Sequence, residues 1–235
     1  NLLRQTALDS IQGRAPFHVF GPVCSIPALE ALTLTWRFFE TSIHSKSYSH
    51  IIRNIYGVPK EEFNKIHDTA EISAMAANIG RYYEALHQLN CKKEVGREVD
   101  VYEHKRAIWL ALNASYALEA LRFMVSFATS LAMVENKIYI GNGNIISLIL
   151  QDELLHTEWT AWLINNVGKD DADFEKLEKE CKEEVYELYL EVIKEEKAWA
   201  DYLFKKGVVI GLNAAILKDF VDYTAFTKLK DIGVK

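Results

Sequence analysis

The chain has 235 residues, 49% hydrophobic and 26% charged, a balance that suits a globular protein with a substantial core. Its formal net charge of −6 removes the electrostatic basis for nucleic-acid binding. Cys24, Cys91 and Cys181 are odd in number and too scattered for a disulfide framework or a C-x-x-C metal site, which fits a reducing, cytoplasmic setting.

The opening stretch "QTALDSIQGR" (5–14) has apolar residues at helical spacing around Asp9. All four prolines, Pro16, Pro22, Pro27 and Pro59, fall in the first quarter. Pro27 sits in the first turn of a helix predicted to run to Gly57. Pro59 opens a helical region that continues to about Leu89, with a break near Asp68–Thr69. "NCKKEVGREVD" (90–100) reads as a charged connector, and Asp100 with Glu103 resembles a capping box for a long helix over 101–140. Within it, residues 107–134 carry only two charges, Glu119 and Arg122. That length suits a bilayer, but charges near its middle point to a central bundle helix and no membrane span. "GNGN" (141–144) reads as a turn before a helix to about Asn166. "GKDDAD" introduces a helix over roughly 172–206, whose "EKLEKECKEE" run reads as a solvated face. Gly207 and Gly211 break it, and a last helix spans 213–231. No β-hairpin signal and no Gly-rich phosphate loop is read, so the expected fold is an all-α bundle of long helices. The chain opens on Asn1 with no signal peptide, and it is expected to be a trimmed segment.

Acids and imidazoles recur on these apolar helices: Asp9, then Glu40 with His44, then Glu119, then Glu153 with His156. An unpaired buried carboxylate costs several kcal/mol or takes up a proton. Two cations in the core would relieve four converging acids. Single acids from two helices with Glu/His pairs from two others is the ligand logic of dimetal-carboxylate bundles. Oxygen-rich ligands with two imidazoles suit iron or manganese better than zinc. Each residue alone has an ordinary explanation, as a helix cap or a hydrogen-bonded core side chain. The joint order acid, Glu/His, Glu, Glu/His carries the weight.

"LDSIQGR" (8–14), "ETSIHSKSYSHIIRNI" (40–55), "ALEALRFMVSFA" (117–128), "ISLILQDELLH" (146–156) and "EKAWADYLF" (196–204) closely resemble the small, radical-generating subunit of class I ribonucleotide reductase. The resemblance spreads over nearly the whole chain. It implies a single ferritin-like domain over 1–235, with Asp9, Glu40, His44, Glu119, Glu153 and His156 as ligands of two iron ions, or of manganese. It implies that Tyr48 is the site of a stable tyrosyl radical, with Phe123, Phe127 and Ile149 lining its pocket. By the same resemblance Asp152 hydrogen-bonds the ligand His44 and belongs to the radical-transfer route. The implied activity is ribonucleoside-diphosphate reduction, supplying deoxyribonucleotides for DNA replication, in partnership with a large subunit and as a homodimer. A phenoxyl radical survives only behind an apolar wall that excludes water, which is the chemistry expected around Tyr48.

Two departures stand out. The family's first pair is Glu-x-x-His, whereas "ETSIH" is Glu-x-x-x-His. On a regular helix, three residues turn a side chain by about −60° and four by about +40°. A π-type widening near Thr41–Ile43 is the expected remedy. The family's relay tryptophan upstream of the first Asp, and its C-terminal tail, have no counterpart within 1–235. An iron-storage or ferroxidase bundle shares the ligand logic without needing Tyr48. A dimetal oxidase of a small substrate would need a cavity opening onto the ions.

Overall fold

The computed structural model describes residues 1–234, which are helical almost throughout. Helix α1 (Leu2–Gln12) carries Asp9, and α2 (Ala15–Phe20) follows at once. Then α3 (Pro27–Phe38), a π turn (Phe39–His44) and α4 (Ser45–Ile55) run on as one rod. Pro27 starts it because the first turn has no intrahelical use for the N–H that proline lacks. α5 (Pro59–Asp68) and α6 (Ala70–Glu94) part at Thr69, as the break near Asp68–Thr69 predicted. Next come α7 (Val101–Ala117), a second π segment (Leu118–Arg122) and α8 (Met124–Glu135). α9 (Ile140–Asp170), α10 (Ala172–Glu180), α11 (Lys182–Leu203) and α12 (Ala214–Asp231) complete the order. Among the described residues, the only β pairing is an isolated bridge between Val209 and Leu212.

The all-α, ferritin-like bundle is organised around α7 and its continuation. Every residue from Trp109 to Phe127 is buried. α6, α9, α10 and α11 pack against α7, while α9, α11 and α12 pack against the second π segment. A helix enclosed on all sides must be apolar on all sides, which explains why Val101–Glu135 is long and apolar enough to cross a membrane. Here protein encloses its middle, Trp109 to Phe127. Asp100 caps it as expected, its side chain accepting a hydrogen bond from the Glu103 N–H at 2.7 Å.

Several boundaries differ from the sequence reading. Asn90–Glu94, placed in a connector, are the last turn of α6. The predicted helix 101–140 stops at Glu135, and "GNGN" lies inside the first turns of α9 rather than in a turn. The reversal is made instead by Lys137 (φ 59°) and Tyr139 (φ 55°), both left-handed. Gly143 serves close packing: a Cβ there would lie 1.9 Å from Val134 Cγ2, so α8 and α9 approach through the missing side chain. α9 runs four residues past Asn166, and the charged helix of 172–206 is broken at Cys181.

Candidate metal centre

The two π segments decide where the acids point. A π turn advances roughly 80–90° per residue instead of about 100°, so four residues bring a side chain back to within a few tens of degrees. Glu40 and His44 lie near the two ends of the first π turn and are both fully buried. The extra residue of Glu40-x-x-x-His44 is thus absorbed locally, as expected. Glu119 sits in the second π segment, also fully buried. Asp9 enters from α1, and Glu153 and His156 from one stripe of α9.

Two overlapping groups result, Asp9–Glu40–His44–Glu153 and Glu40–Glu119–Glu153–His156, each with its ligand atoms within 4.8 Å of one another. His44 Nδ1 lies 3.1 Å from Asp9 Oδ1, 3.3 Å from Glu153 Oε1 and 3.5 Å from Glu40 Oε2. His156 Nδ1 lies 3.1 Å from Glu153 Oε2, 3.2 Å from Glu40 Oε1 and 3.9 Å from Glu119 Oε2. Glu40 and Glu153 therefore each present one oxygen to one imidazole and the other oxygen to the second. A pair of ions there would be held by the two shared carboxylates, with Asp9 belonging to one group and Glu119 to the other. Asp9 Oδ2, both Glu40 oxygens, Glu119 Oε2 and Glu153 Oε1 are buried without a hydrogen-bond partner. Buried carboxylate oxygens are almost always paired, so five orphans facing one another fit a pair of divalent cations.

Without cations, protons must compensate. Burial pushes the Asp9 carboxyl well up, reinforced by Glu40, although His44 opposes it. Burial likewise pushes Glu119 well up, with Glu153 and Glu40 adding to it. Burial works against the charged His156 ring, but Glu153 and Glu40 outweigh it and hold the imidazole at about 9. His44 is raised further still, its burial overcome by Asp9, Glu153 and Glu40. For Glu153 the upward push of burial is overcome by Glu119, His156 and His44, which hold it below the usual carboxylate range.

Tyr48 lies one turn beyond His44 on α4 and is fully buried. Its hydroxyl has no hydrogen-bond partner. Burial raises its pKa strongly, and the Asp9 carboxylate adds the largest of the neighbouring fields. Phe123, Phe127 and Ile149 are buried in the same apolar cluster, the two phenyl rings stacked at 5.3 Å between centroids. His44 Nε2 lies 3.0 Å from Asp152 Oδ2, which fixes the ring and leaves Nδ1 facing the carboxylates.

The family described as "Ribonucleotide reductase, small chain" matches residues 1–235. The chain belongs to the ribonucleotide reductase small-chain family. It is 42% identical over 250 residues to a ribonucleoside-diphosphate reductase 1 subunit beta of Salmonella typhimurium, covering 100% of this chain and 65% of that protein. It is 42% identical over 247 residues to the subunit beta of Haemophilus influenzae, with the same 100% and 65% coverage. This small-chain sequence thus spans about 65% of the length of those curated relatives. Among solved structures, it aligns with a ribonucleotide reductase R2 subunit from Clostridium botulinum at TM-score 0.81 and 20% identity, covering 100% of this chain and 69% of the other. It aligns with the dimanganese(II)-NrdF of Streptococcus sanguinis at TM-score 0.74 and 22% identity, covering 99% and 75%. At those identities the structural matches establish the shared fold.

Three features of this small-chain member were not read from the sequence. His156 is ringed by aromatics, with Trp36 at 5.3 Å, Trp159 at 5.9 Å and Phe39 at 6.4 Å between ring centroids. Arg4 grips Glu196 with both Nη atoms, and Arg122 Nη1 lies 2.5 Å from Glu195, forming a second buried ionic cluster. Arg122 was the available signal, since a guanidinium in an apolar helix demands a counter-charge. Finally, Gln12, Tyr83 and Ser115 form a buried polar chain that ends on Glu119.

Proposed function

We propose that this chain, as one domain over 1–235, is the radical-generating small subunit of a class I ribonucleoside-diphosphate reductase. It holds two iron ions, or manganese, through Asp9, Glu40, His44, Glu119, Glu153 and His156. The observation that carries this reading is the sharing of Glu40 and Glu153 between both ligand groups, with a sealed tyrosine one turn away. Bound there, redox-active ions supply the activation of molecular oxygen and the oxidising power to remove an electron from Tyr48.

The chain's own residues do the rest. Asp9 exerts the largest neighbouring carboxylate field on the Tyr48 hydroxyl, and its carboxylate is the acceptor for the phenolic proton. Phe123, Phe127 and Ile149 exclude water and reductants from the ring. Asp152, whose side chain is 26% exposed, links His44 to the surface and is the candidate relay toward a large subunit. The subunit is cytoplasmic in this reading and pairs with a second copy. Leu148, Leu155 and Trp162, seven residues apart on α9 and 62%, 40% and 60% exposed, supply an apolar stripe suited to that contact.

Anaerobic loading of the full chain with ferrous iron followed by oxygen tests the reading. A tyrosyl-type electron paramagnetic resonance signal is expected, and Tyr48→Phe should abolish it. Iron uptake with a signal indifferent to Tyr48→Phe, or with none at all, would refute the radical assignment and favour storage or oxidase chemistry.

A further inference from the structure

Glu119 is gripped from behind by a chain of side chains that hydrogen-bonds to none of the other five acids and imidazoles. Gln12 Nε2 donates to Glu119 Oε1. Tyr83 Oη lies 2.7 Å from Gln12 Oε1 and 2.6 Å from Ser115 Oγ. Gln12, Tyr83, Ser115 and Glu119 are all buried, so water does not compete for these bonds. Chemistry fixes the direction of every one. A carboxylate that holds a cation has no proton, so Gln12 must turn its NH2 toward Glu119. Its Oε1 then accepts, and takes the single Tyr83 hydrogen. Tyr83 oxygen is left to accept from the Ser115 hydroxyl. Three donors in series thus point at one carboxylate oxygen, and a flip of the amide would set its oxygen against that carboxylate.

The bond to Gln12 engages Oε1, while Oε2 is the unpartnered oxygen, 3.9 Å from His156 Nδ1. We infer that Gln12, itself held by Tyr83 and Ser115, is a positioning residue that confines Glu119 to a one-oxygen pose toward the ion group it shares with Glu40, Glu153 and His156. Support is needed at this acid in particular. Glu119 lies in the π segment, where the helical hydrogen-bond ladder is interrupted and holds the side chain less firmly. The other unshared acid, Asp9, stands on regular α-helix, where the hydrogen-bond ladder is unbroken. Gln12 lies three residues after Asp9 on α1, so one helix face serves both ion groups, directly at one and through an amide at the other.

This inference rests on the metal-centre reading, and Mn2+ binding to the metal-free full chain separates the two. In wild-type protein, a titration followed by electron paramagnetic resonance should show spin-coupled pairs. Gln12→Met keeps the volume and removes the amide. Its affinity for the second ion should fall about 10–100-fold, the usual effect of losing a ligand's hydrogen-bonding partner. The coupled signal should give way to the six-line spectrum of isolated Mn2+, with the melting temperature of the metal-free protein near wild type. Tyr83→Phe keeps its ring in the core and frees the amide to rotate, so it should move both readouts the same way by roughly three- to tenfold. It also serves if Gln12→Met does not fold. Wild-type affinity and an intact coupled spectrum in either folded variant would overturn the role of Gln12. A wild-type chain that binds no Mn2+ pair would overturn the metal centre itself, and this role with it.

Discussion

Loading the ion pair should expel protons in a number set by the cluster's charge. His44 and His156 are both held above their ordinary pKa by the surrounding carboxylates, so at neutral pH the metal-free protein carries both as imidazolium. Asp9 and Glu119 are pushed well up by burial, which adds up to two carboxyl protons. Two divalent cations balance four carboxylates as four protons do, so uptake of a pair should release between two and four protons. Each proton released makes binding more favourable by about 1.4 kcal/mol per pH unit, hence on the order of 3–5 kcal/mol per unit for the pair. The slopes with and without metal have opposite signs. In the metal-free fold the two imidazoles bind protons more tightly than in the unfolded chain. Their contribution is fully present below about pH 6.5, the unfolded value, and is lost as the pH rises, for His156 through about 9. The loaded protein instead loses its ions as acid restores the protons. The gap in melting temperature between Mn2+-loaded and metal-free protein should therefore widen steadily from pH 6.5 to 8.5. Calorimetric titration in buffers of different ionisation enthalpy counts the protons directly. Release of fewer than one proton per pair, or a gap indifferent to pH, would refute this account of how the cluster is kept neutral.

The buried ionic cluster behind α1 should respond asymmetrically. Glu196→Gln leaves Arg4 and Arg122 fully buried with Glu195 as their one remaining acid, and no proton can be shed at accessible pH, so a loss of about 3–5 kcal/mol is expected in urea unfolding of the metal-free protein. Arg4→Met should cost less at pH 5 than at pH 8, because burial already pushes the Glu196 carboxyl up and lower pH lets it take a proton. Equal costs at both pH values would contradict this. At the α8–α9 contact, Gly143→Ala should lower stability by about 1–3 kcal/mol in thermal melts, and adding Val134→Ala should recover most of it.

How much of this was legible depended on whether the signal was local. The six candidate residues were legible because Glu40 with His44 and Glu153 with His156 recur at helical spacing, and because Asp9 and Glu119 sit in apolar helical surroundings where a charge needs an explanation. The π turn at Glu40–His44 was legible from one surplus residue, since a buried helix can absorb it only by widening. The second widening, at Leu118–Arg122, leaves no such mark, because no second ligand on that helix sets an expected spacing. Glycine in "GNGN" suggested a turn, but the approach of Val134 is a tertiary fact, and a glycine that makes room for a neighbour looks in sequence like one that bends the chain. Gln12 escaped for the same reason. Its partners come from α6, α7 and the second π segment, and an amide near a helix end announces nothing until those elements meet.

Asp152 has a consequence that follows from its place between interior and solvent. The six clustered acids and imidazoles are at most 2% exposed, and among the described residues this aspartate is their one side-chain hydrogen-bond partner that reaches water, its side chain 26% exposed. The cluster is thus an enclosed chamber with one hydrogen-bonded polar link to solvent. Anything that docks over that aspartate could draw charge out of the protein or block its escape, with no helix having to open.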